Sequence, residues 1–300
     1  MTLLSVRHTT TYRYAQPVRF GEHRMMFRPR DSYDQKLLEA WLTITPRPKE
    51  MRWVHDVFGN CVTIAEFGEE AASELKFESN IWLDHATLPD APQFEIEEYA
   101  RSYPFAYAAD ELADLMPFIT PQYPDPDQGI HRWMRRFLRK DRSTDTGMLL
   151  MTLTLAFKES FAYERRSEPG TREPAETLRL GRGSCRDMAL LMIEALRSLG
   201  FAARFVSGYL YVPDRDGPRH LGGGSTHAWC QVYLPGAGWV EFDPTNAIVG
   251  NRDLIRVAVT RDPSQAVPLS GSYFGAERDF LDMTVEVNVN AEPLSEIIRR

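Results

Sequence analysis

Cysteine is scarce in this sequence of 300 residues, which contains only Cys61, Cys185 and Cys230. Three thiols so far apart cannot form the dense disulfide framework of a small secreted domain, so we expect reduced thiols in a cytoplasmic protein. The scarcity leaves open that one of the three acts as a nucleophile.

Long apolar runs are also missing. No stretch approaches the ~18 apolar residues that a membrane-spanning helix needs, and the polar, arginine-bearing N-terminus does not fit the apolar segment of a signal peptide. Acidic residues outnumber basic ones by 42 to 35, which gives a net charge of -7. This balance argues against nucleic acid and anionic membranes as partners.

The pattern of apolar and polar residues changes along the chain. Residues 1–90 are rich in short β-branched and aromatic runs, which predict a small antiparallel β domain, and a linker is predicted at 88–93. Residues 95–265 show helical periodicity at 130–140 and 146–161, pass through a polar loop at 165–183 and end in strands. Residues 266–300 are predicted to form a C-terminal segment with one strand that folds back. Helices followed by a sheet predict an α+β fold.

The sequence GRGSCRDMALLMIEALRSLG, residues 181–200, predicts a helix that begins at Cys185. Ser184 is a good N-cap, and Asp187 stands three residues later in the first turn. The apolar residues recur at helical spacing and form one stripe, namely Met188, Met192, Ala195, Leu196 and Leu199. Unpaired N–H groups at a helix start stabilise a thiolate and can hold an oxyanion. We expect Gly183 and Ser184 to border a bound substrate.

Cys185 is therefore either a buried structural residue or a nucleophile, and this stretch alone favours neither. A nucleophile needs a base, for which the candidate is His227. The candidate carboxylate that orients this base is Asp243, since both residues lie on strand-like runs that flank the turn PGAG. One ring nitrogen would then bind the carboxylate while the other faces the thiol.

The register of this hairpin decides whether the histidine and the aspartate can meet. A four-residue loop at 235–238 would pair Asp243 with Cys230, on the face away from His227. An odd-length loop or a bulge would instead set Asp243 opposite Trp229, within diagonal reach of His227. We therefore predict one of these two irregularities. Trp229 is interpreted as a core residue or as a cleft wall that contacts substrate.

A zinc site is the alternative for the same segment, with His220, His227 and Cys230 as candidate ligands. His227 and Cys230 alternate to opposite faces of one strand, whereas zinc sites need three or four convergent ligands. We therefore expect neither a metal nor another cofactor.

Together these motifs resemble the bacterial transglutaminase-like superfamily. The resemblance lies in the GSCRD start of the helix, the run LGFAARFVSGY, the HAW strand and the FDPTN that ends the hairpin. Residues 5–30 are similar to the small β domain that precedes the core in these bacterial proteins. The stretch RDPSQAVPLSGSYFG is similar to the segment that follows the core.

The resemblance implies a papain-like core and a triad of Cys185 as nucleophile, His227 as general base and acid, and Asp243 as orienting carboxylate. The implied chemistry is acyl transfer from an amide of a protein or peptide through a thioester. Many relatives carry an acidic residue before the histidine and Val-Glu after HAW. This sequence differs at those positions, which hold Thr226, Cys230 and Gln231. None of these three is a triad member.

The sequence thus predicts a cysteine-dependent amide hydrolase or acyltransferase. Hydrolysis is slightly favoured over transamidation, because water is always present and no feature marks an amine site. The alternative function is a protein-binding module that keeps the fold without the chemistry.

Overall fold

The computed structural model describes residues 2–86, 95–140, 142–166, 168, 170–212, 221 and 223–293. Its strands are β1 (Thr2–Met25), β2 (Gln35–Thr45), β3 (Glu50–His55), β4 (Cys61–Glu66), β5 (Ala72–His85), β6 (Ser102–Tyr103), β7 (Thr144–Asp145), β8 (Ala162–Tyr163), β9 (Arg182–Gly183), β10 (Ala203–Leu210), β11 (His227–Leu234), β12 (Gly238–Asp243), β13 (Ile248–Val249), β14 (Leu254–Thr260), β15 (Leu269–Phe274) and β16 (Phe280–Ala291).

The α-helices are α1 (Ala109–Ile119), α2 (Gly129–Met134), α3 (Thr146–Ser160), α4 (Pro174–Leu180) and α5 (Cys185–Arg197). Short 3-10 helices lie at Glu98–Ala100, Arg135–Phe137, Pro263–Gln265 and Glu277–Asp279. Within the ranges given above, no helix is both long and apolar enough to cross a membrane.

An antiparallel seven-stranded sheet is built around β1. The strands lie in the order β2-β5-β1-β4-β3, and the C-terminal strands β15 and β16 also pair with β1. Side chains of β5 alternate between buried and partly exposed along most of the strand, so one face of the sheet packs on a core. Strands β15 and β16 therefore belong to the same sheet as the N-terminal strands.

Strand β1 serves two parts of this sheet because it is irregular near its middle. Its first half pairs with β5 and β16, and its second half pairs with β4 and β15. The pairing with β5 shifts register between Arg13 and Val18, a stretch that contains Pro17. Proline has no N–H to give to a ladder, so the strand bends there and the sheet curls.

The second sheet has five antiparallel strands in the order β13-β12-β11-β10-β14, and α5 packs against β11 and β10. Every residue of α5 except Arg186 is buried. The predicted apolar stripe faces the core, but two charged residues of the helix, Glu194 and Arg197, are buried as well and form an ion pair of 2.7 Å. Helix α5 is thus the centre of the core, which confirms the predicted α+β arrangement.

Two helices differ from the sequence prediction. Helix α4 forms inside the stretch predicted as a polar loop: Pro174 begins it, and Gly181, with φ of 61°, ends it. Helix α1 lies where the sequence analysis predicts no helix. Helix α4 has only seven residues, too few for an apolar period to show. Helix α1 contains Pro117, and a proline inside a segment argues against a helix there.

The N-terminal sheet covers one edge strand of the second sheet, β14. The Asn60 side chain donates to the Val259 carbonyl at 2.8 Å and accepts from the Val259 N–H at 2.9 Å. Gln35 binds the backbone of Arg256 in the same two-sided way, with both distances 2.8 Å. These side-chain amides take the place of a neighbouring strand. An apolar cluster shared by β1, β5, β10 and β14 packs beside them.

The linker predicted at 88–93 lies outside the described residues. The predicted division into three segments, 1–90, 95–265 and 266–300, therefore stays a prediction.

Candidate active site

Cys185 is the first residue of α5, as the sequence predicts. Ser184 is the N-cap: its Oγ accepts from the Asp187 N–H at 3.4 Å, and its own N–H donates to the Asp187 carboxylate at 2.9 Å. This reciprocal pair is a capping box, which fixes where the helix begins. The unpaired N–H groups of the first turn therefore point out of the end of the helix at which Cys185 lies.

Asp187 anchors this turn more strongly than a cap alone requires. Its carboxylate, fully buried, also accepts from the Arg166 guanidinium at 2.9 Å and from the Arg172 N–H at 2.8 Å. Burial alone would raise the pKa of Asp187, but these donors and Ser184 lower it below its ordinary value. A negative charge is thus held at neutral pH beneath the first turn of α5.

Gly183 has a packing reason to be glycine. A Cβ added there would lie 2.8 Å from the Cβ of Asp187, closer than real Cβ atoms come. Gly183 and Ser184 are both buried. Their predicted contact with substrate stays a prediction, while their part in shaping the turn is explained by these distances.

The hairpin of β11 and β12 has an odd-length loop, one of the two irregularities that the sequence analysis predicts. Leu234 pairs with Gly238, so the loop is the three residues 235–237, and Cys230 pairs with Phe242. This register sets Asp243 opposite Trp229. The Nε2 atom of His227 consequently lies 2.8 Å from Oδ2 of Asp243, and both side chains are fully buried.

Asp243 is surrounded by donors. Besides His227, Oδ2 accepts from the Asn246 side chain at 2.8 Å, while Oδ1 accepts from the N–H groups of Thr245 at 2.8 Å and Asn246 at 3.3 Å. The turn that follows β12 therefore supplies most of the hydrogen bonds that hold the carboxylate in place.

The pKa values of His227 and Asp243 are shifted in opposite directions. Burial by itself would lower the pKa of His227, but attraction to Asp243 and the hydrogen bond between them raise it to about 10. Burial would raise the pKa of Asp243, whereas the charge of His227 and the surrounding donors lower it. Both shifts favour the charged forms, an imidazolium beside a carboxylate.

Cys185 lies beside the same ring. Its thiol is one of the groups that raise the pKa of His227, and it retains 6% exposure to solvent. The Nδ1 atom of His227 is buried and makes no hydrogen bond of standard geometry to any part of the chain that the structure describes. Since Nε2 is taken by Asp243, Nδ1 is the nitrogen left to exchange a proton with the thiol.

Of the two interpretations given for Trp229, the structure fits a core residue and not a cleft wall that contacts substrate. Trp229 has no exposed surface and packs in a cluster with Val206, Leu210 and Leu254, among others. Its ring lies 5.9 Å from that of His227, with an angle of 28° between the planes. Alternation along β11 puts Trp229 on the same face as His227. That face also packs on the core, which covers Trp229. Trp229 supports His227 from behind.

The three residues considered for zinc are not gathered in the described structure. His220 lies outside the described residues, and the thiol of Cys230 donates to the Phe242 carbonyl at 3.4 Å. Burial raises the pKa of the Cys230 thiol. Among the residues described, no group of three or more His, Cys, Asp and Glu side chains could hold a metal ion.

Asn246 and Arg166 are contacts that the sequence analysis misses. Asn246 is the last residue of the motif FDPTN, so its position in the sequence could have predicted that it lies close to Asp243. Arg166 reaches Asp187 across a gap of 21 residues, and nothing in the local sequence marks that pairing.

Comparisons with known proteins give the family of this chain. Residues 4–84 match the Bacterial transglutaminase-like N-terminal region, and residues 136–244 match the Transglutaminase-like superfamily. An uncharacterized protein of Mycobacterium tuberculosis is 30% identical over 298 residues, covering 94% of this chain and 91% of that protein. An uncharacterized protein of Mycobacterium leprae is 41% identical over 107 residues, covering 35% of this chain and 37% of that protein.

The fold has a relative among solved structures. A crystal structure of a candidate cysteine protease from Cytophaga hutchinsonii superposes with a TM-score of 0.68 at 19% identity, covering 98% of this chain and 92% of that chain. The fold is thus α+β with a papain-like, transglutaminase-like core. The chain belongs to the bacterial transglutaminase-like superfamily, as the sequence predicts.

Proposed function

We propose that this protein is a cysteine-dependent amide hydrolase or acyltransferase that acts on protein or peptide substrates through a thioester on Cys185. One observation carries the proposal. The buried 2.8 Å contact between His227 and Asp243 leaves Nδ1 of the ring available beside a cysteine that begins a helix.

The first half-reaction forms the thioester. The sulfur of Cys185 attacks the carbonyl carbon of the amide, and the carbonyl π electrons move to oxygen. The free N–H groups at the start of α5 are available donors for this oxyanion. Protonated His227 then gives its Nδ1 proton to the amide nitrogen, the C–N bond breaks and the amine leaves.

The second half-reaction releases the acyl group. Neutral His227 takes a proton from water or from an acceptor amine, whose oxygen or nitrogen attacks the thioester carbon. Collapse of the second tetrahedral intermediate breaks the C–S bond and returns the thiolate of Cys185 beside a protonated ring. Asp243 stays ionised throughout and holds the ring through Nε2.

Selective alkylation of Cys185 is the first test of this proposal. Iodoacetamide adducts are mapped by mass spectrometry over a range of pH. We expect Cys185 to react fastest, although Cys61 is more exposed, and Cys230 to stay unmodified because it is fully buried. Equal reactivity of the three cysteines, or faster reaction of Cys61, contradicts the proposal.

Product analysis then identifies the acceptor. The protein is incubated with a peptide library and, separately, with glutamine-containing peptides plus a labelled primary amine. Hydrolysis, which we favour slightly, gives cleaved or deamidated peptides without incorporation of the amine. Cys185→Ala is expected to abolish either product, while the matched variant Cys61→Ala retains it. A product that persists in Cys185→Ala contradicts the proposal.

The same pair of variants separates the enzyme from the non-catalytic alternative. A binding module predicts that Cys185→Ala keeps the biological activity of the wild-type chain.

A cytoplasmic location is proposed from the three free cysteines, and cell fractionation tests it.

A further inference from the structure

Asn246 binds two parts of the site at once. Its Nδ2 donates to Oδ2 of Asp243 at 2.8 Å and to the Leu221 carbonyl at 3.1 Å, and its Oδ1 accepts from the Leu221 N–H at 2.7 Å. The residue is buried, with 5% exposure. One side-chain amide therefore joins the carboxylate to the backbone of a residue that precedes His227 in the chain.

The orientation of this amide is set by its partners. The ionised carboxylate of Asp243 can only accept hydrogen bonds, so the NH2 group must face it. The Leu221 N–H can only donate, so Oδ1 must face that side. The backbone carbonyl of Asn246 accepts from Lys158 at 3.1 Å, which ties the residue to the end of α3. Little freedom is left for the amide to turn.

Oδ2 of Asp243 has two donors at the same distance. Nε2 of His227 and Nδ2 of Asn246 both lie 2.8 Å from it. If Asn246 is removed, Oδ1 is still held by Thr245, but Oδ2 keeps only the ring as a partner. The carboxylate then ionises less readily and can rotate, and it stabilises a protonated ring less well.

We infer that Asn246 is a positioning residue, which holds Asp243 against His227 and fixes the chain at Leu221 to the same carboxylate. This inference rests on the proposed function, because it acts through the pair that is proposed to activate Cys185. Asn246 itself does not need to touch the substrate.

Other charged or titratable groups face this pair from the neighbouring elements. They are Cys185 at the start of α5, Cys230 on β11, Tyr163 on β8, which interacts electrostatically with both Cys185 and Asp243, and Lys158 at the end of α3. The replacement of Asn246 by a neutral residue leaves all of them in place. A change in pH dependence is therefore attributable to the lost amide.

The test measures the rate of Cys185 alkylation by iodoacetamide from pH 4 to 10 in the full-length protein. For Asn246→Ala we expect a profile displaced upward by about one pH unit, so that the rate in the rising part of the profile falls about tenfold, as for one lost hydrogen bond to a charged group. Asn246→Ser, which keeps one donor, is expected to change both in the same direction by less. It serves as the second variant should Asn246→Ala fold poorly.

Asn251→Ala is the matched control. Asn251 is also buried, and its amide binds a carboxylate and a backbone carbonyl, those of Asp34 and Ala86, at 3.3 and 2.9 Å. We expect Asn251→Ala to lower the thermal midpoint without displacing the alkylation profile. The inference is overturned if the Asn246 variants keep the wild-type profile, or if Asn251→Ala displaces it equally. Wild-type protein without selective reactivity at Cys185 overturns the proposed function as well.

Discussion

The clamp between Asn60 and β14 allows a stability change to be worked out from the structure. Asn60→Ala removes both hydrogen bonds to Val259 and a third, from Nδ2 to Asp56 at 2.8 Å. The N–H and carbonyl of Val259 are then left without partners in a residue that is 8% exposed. Each such orphaned group costs about 1–3 kcal/mol. We expect a loss of about 2–6 kcal/mol for the two groups together, the lower end applying if water enters.

Urea denaturation at equilibrium, followed by tryptophan fluorescence and circular dichroism, measures this loss. The expected change is a large part of the roughly 5–15 kcal/mol by which domains are stable, so the midpoint should fall clearly while the slope stays constant. Asn60→Asp keeps the acceptor for the Val259 N–H but places an oxygen against its carbonyl, so it should cost at least as much at neutral pH. Exposed Asn290→Ala is the control, with an expected change within about 0.5 kcal/mol.

A loss below about 1 kcal/mol in both Asn60 variants refutes this reasoning. It would mean that the edge of the second sheet is not held by the N-terminal side chains, and that water or other contacts satisfy Val259 equally well.

Three further predictions concern the site. Asp243→Asn should lower turnover by roughly 10³–10⁴-fold, the effect of neutralising an orienting carboxylate in a triad; peptide turnover measures it, and a loss below about tenfold contradicts it. Gly183→Ala should cost about 1–3 kcal/mol by crowding Asp187, measured by thermal unfolding against Gly68→Ala, where a Cβ meets nothing within 4 Å. Asp187 has a pKa below its ordinary 3.8 in the fold, so its contribution to stability is full above that value and is lost as pH falls below it. Urea midpoints should therefore fall more steeply in acid for wild type than for Asp187→Asn, and parallel curves refute this.

The candidate site follows from the sequence where short-range rules determine it. The capping box of Ser184 and Asp187 depends on residues three apart, and the pairing of His227 with Asp243 depends on the parity of one hairpin loop. The capping box is a local constraint that the sequence determines. The parity of the loop follows only from the requirement that His227 and Asp243 meet, since a four-residue loop at 235–238 is equally compatible with the local sequence.

Longer-range contacts could not be predicted in this way. Arg166 reaches Asp187 and Asn60 reaches Val259 only after the chain has folded. The full burial of Trp229 has the same origin, because alternation along a strand gives the face of a side chain but not what covers that face. Helix α4 was missed since its helical signal is a proline at the start and a glycine at the end, within a stretch that is otherwise polar.

The charge state of His227 tests the central claim most directly. Nitrogen-15 NMR of the imidazole ring, recorded as a function of pH in the protein without substrate, reports the protons on Nδ1 and Nε2. We predict that both nitrogens carry a proton at pH 7 and that one proton leaves only near pH 10. A ring that is neutral at pH 7, with a midpoint at or below 6.5, would contradict the account.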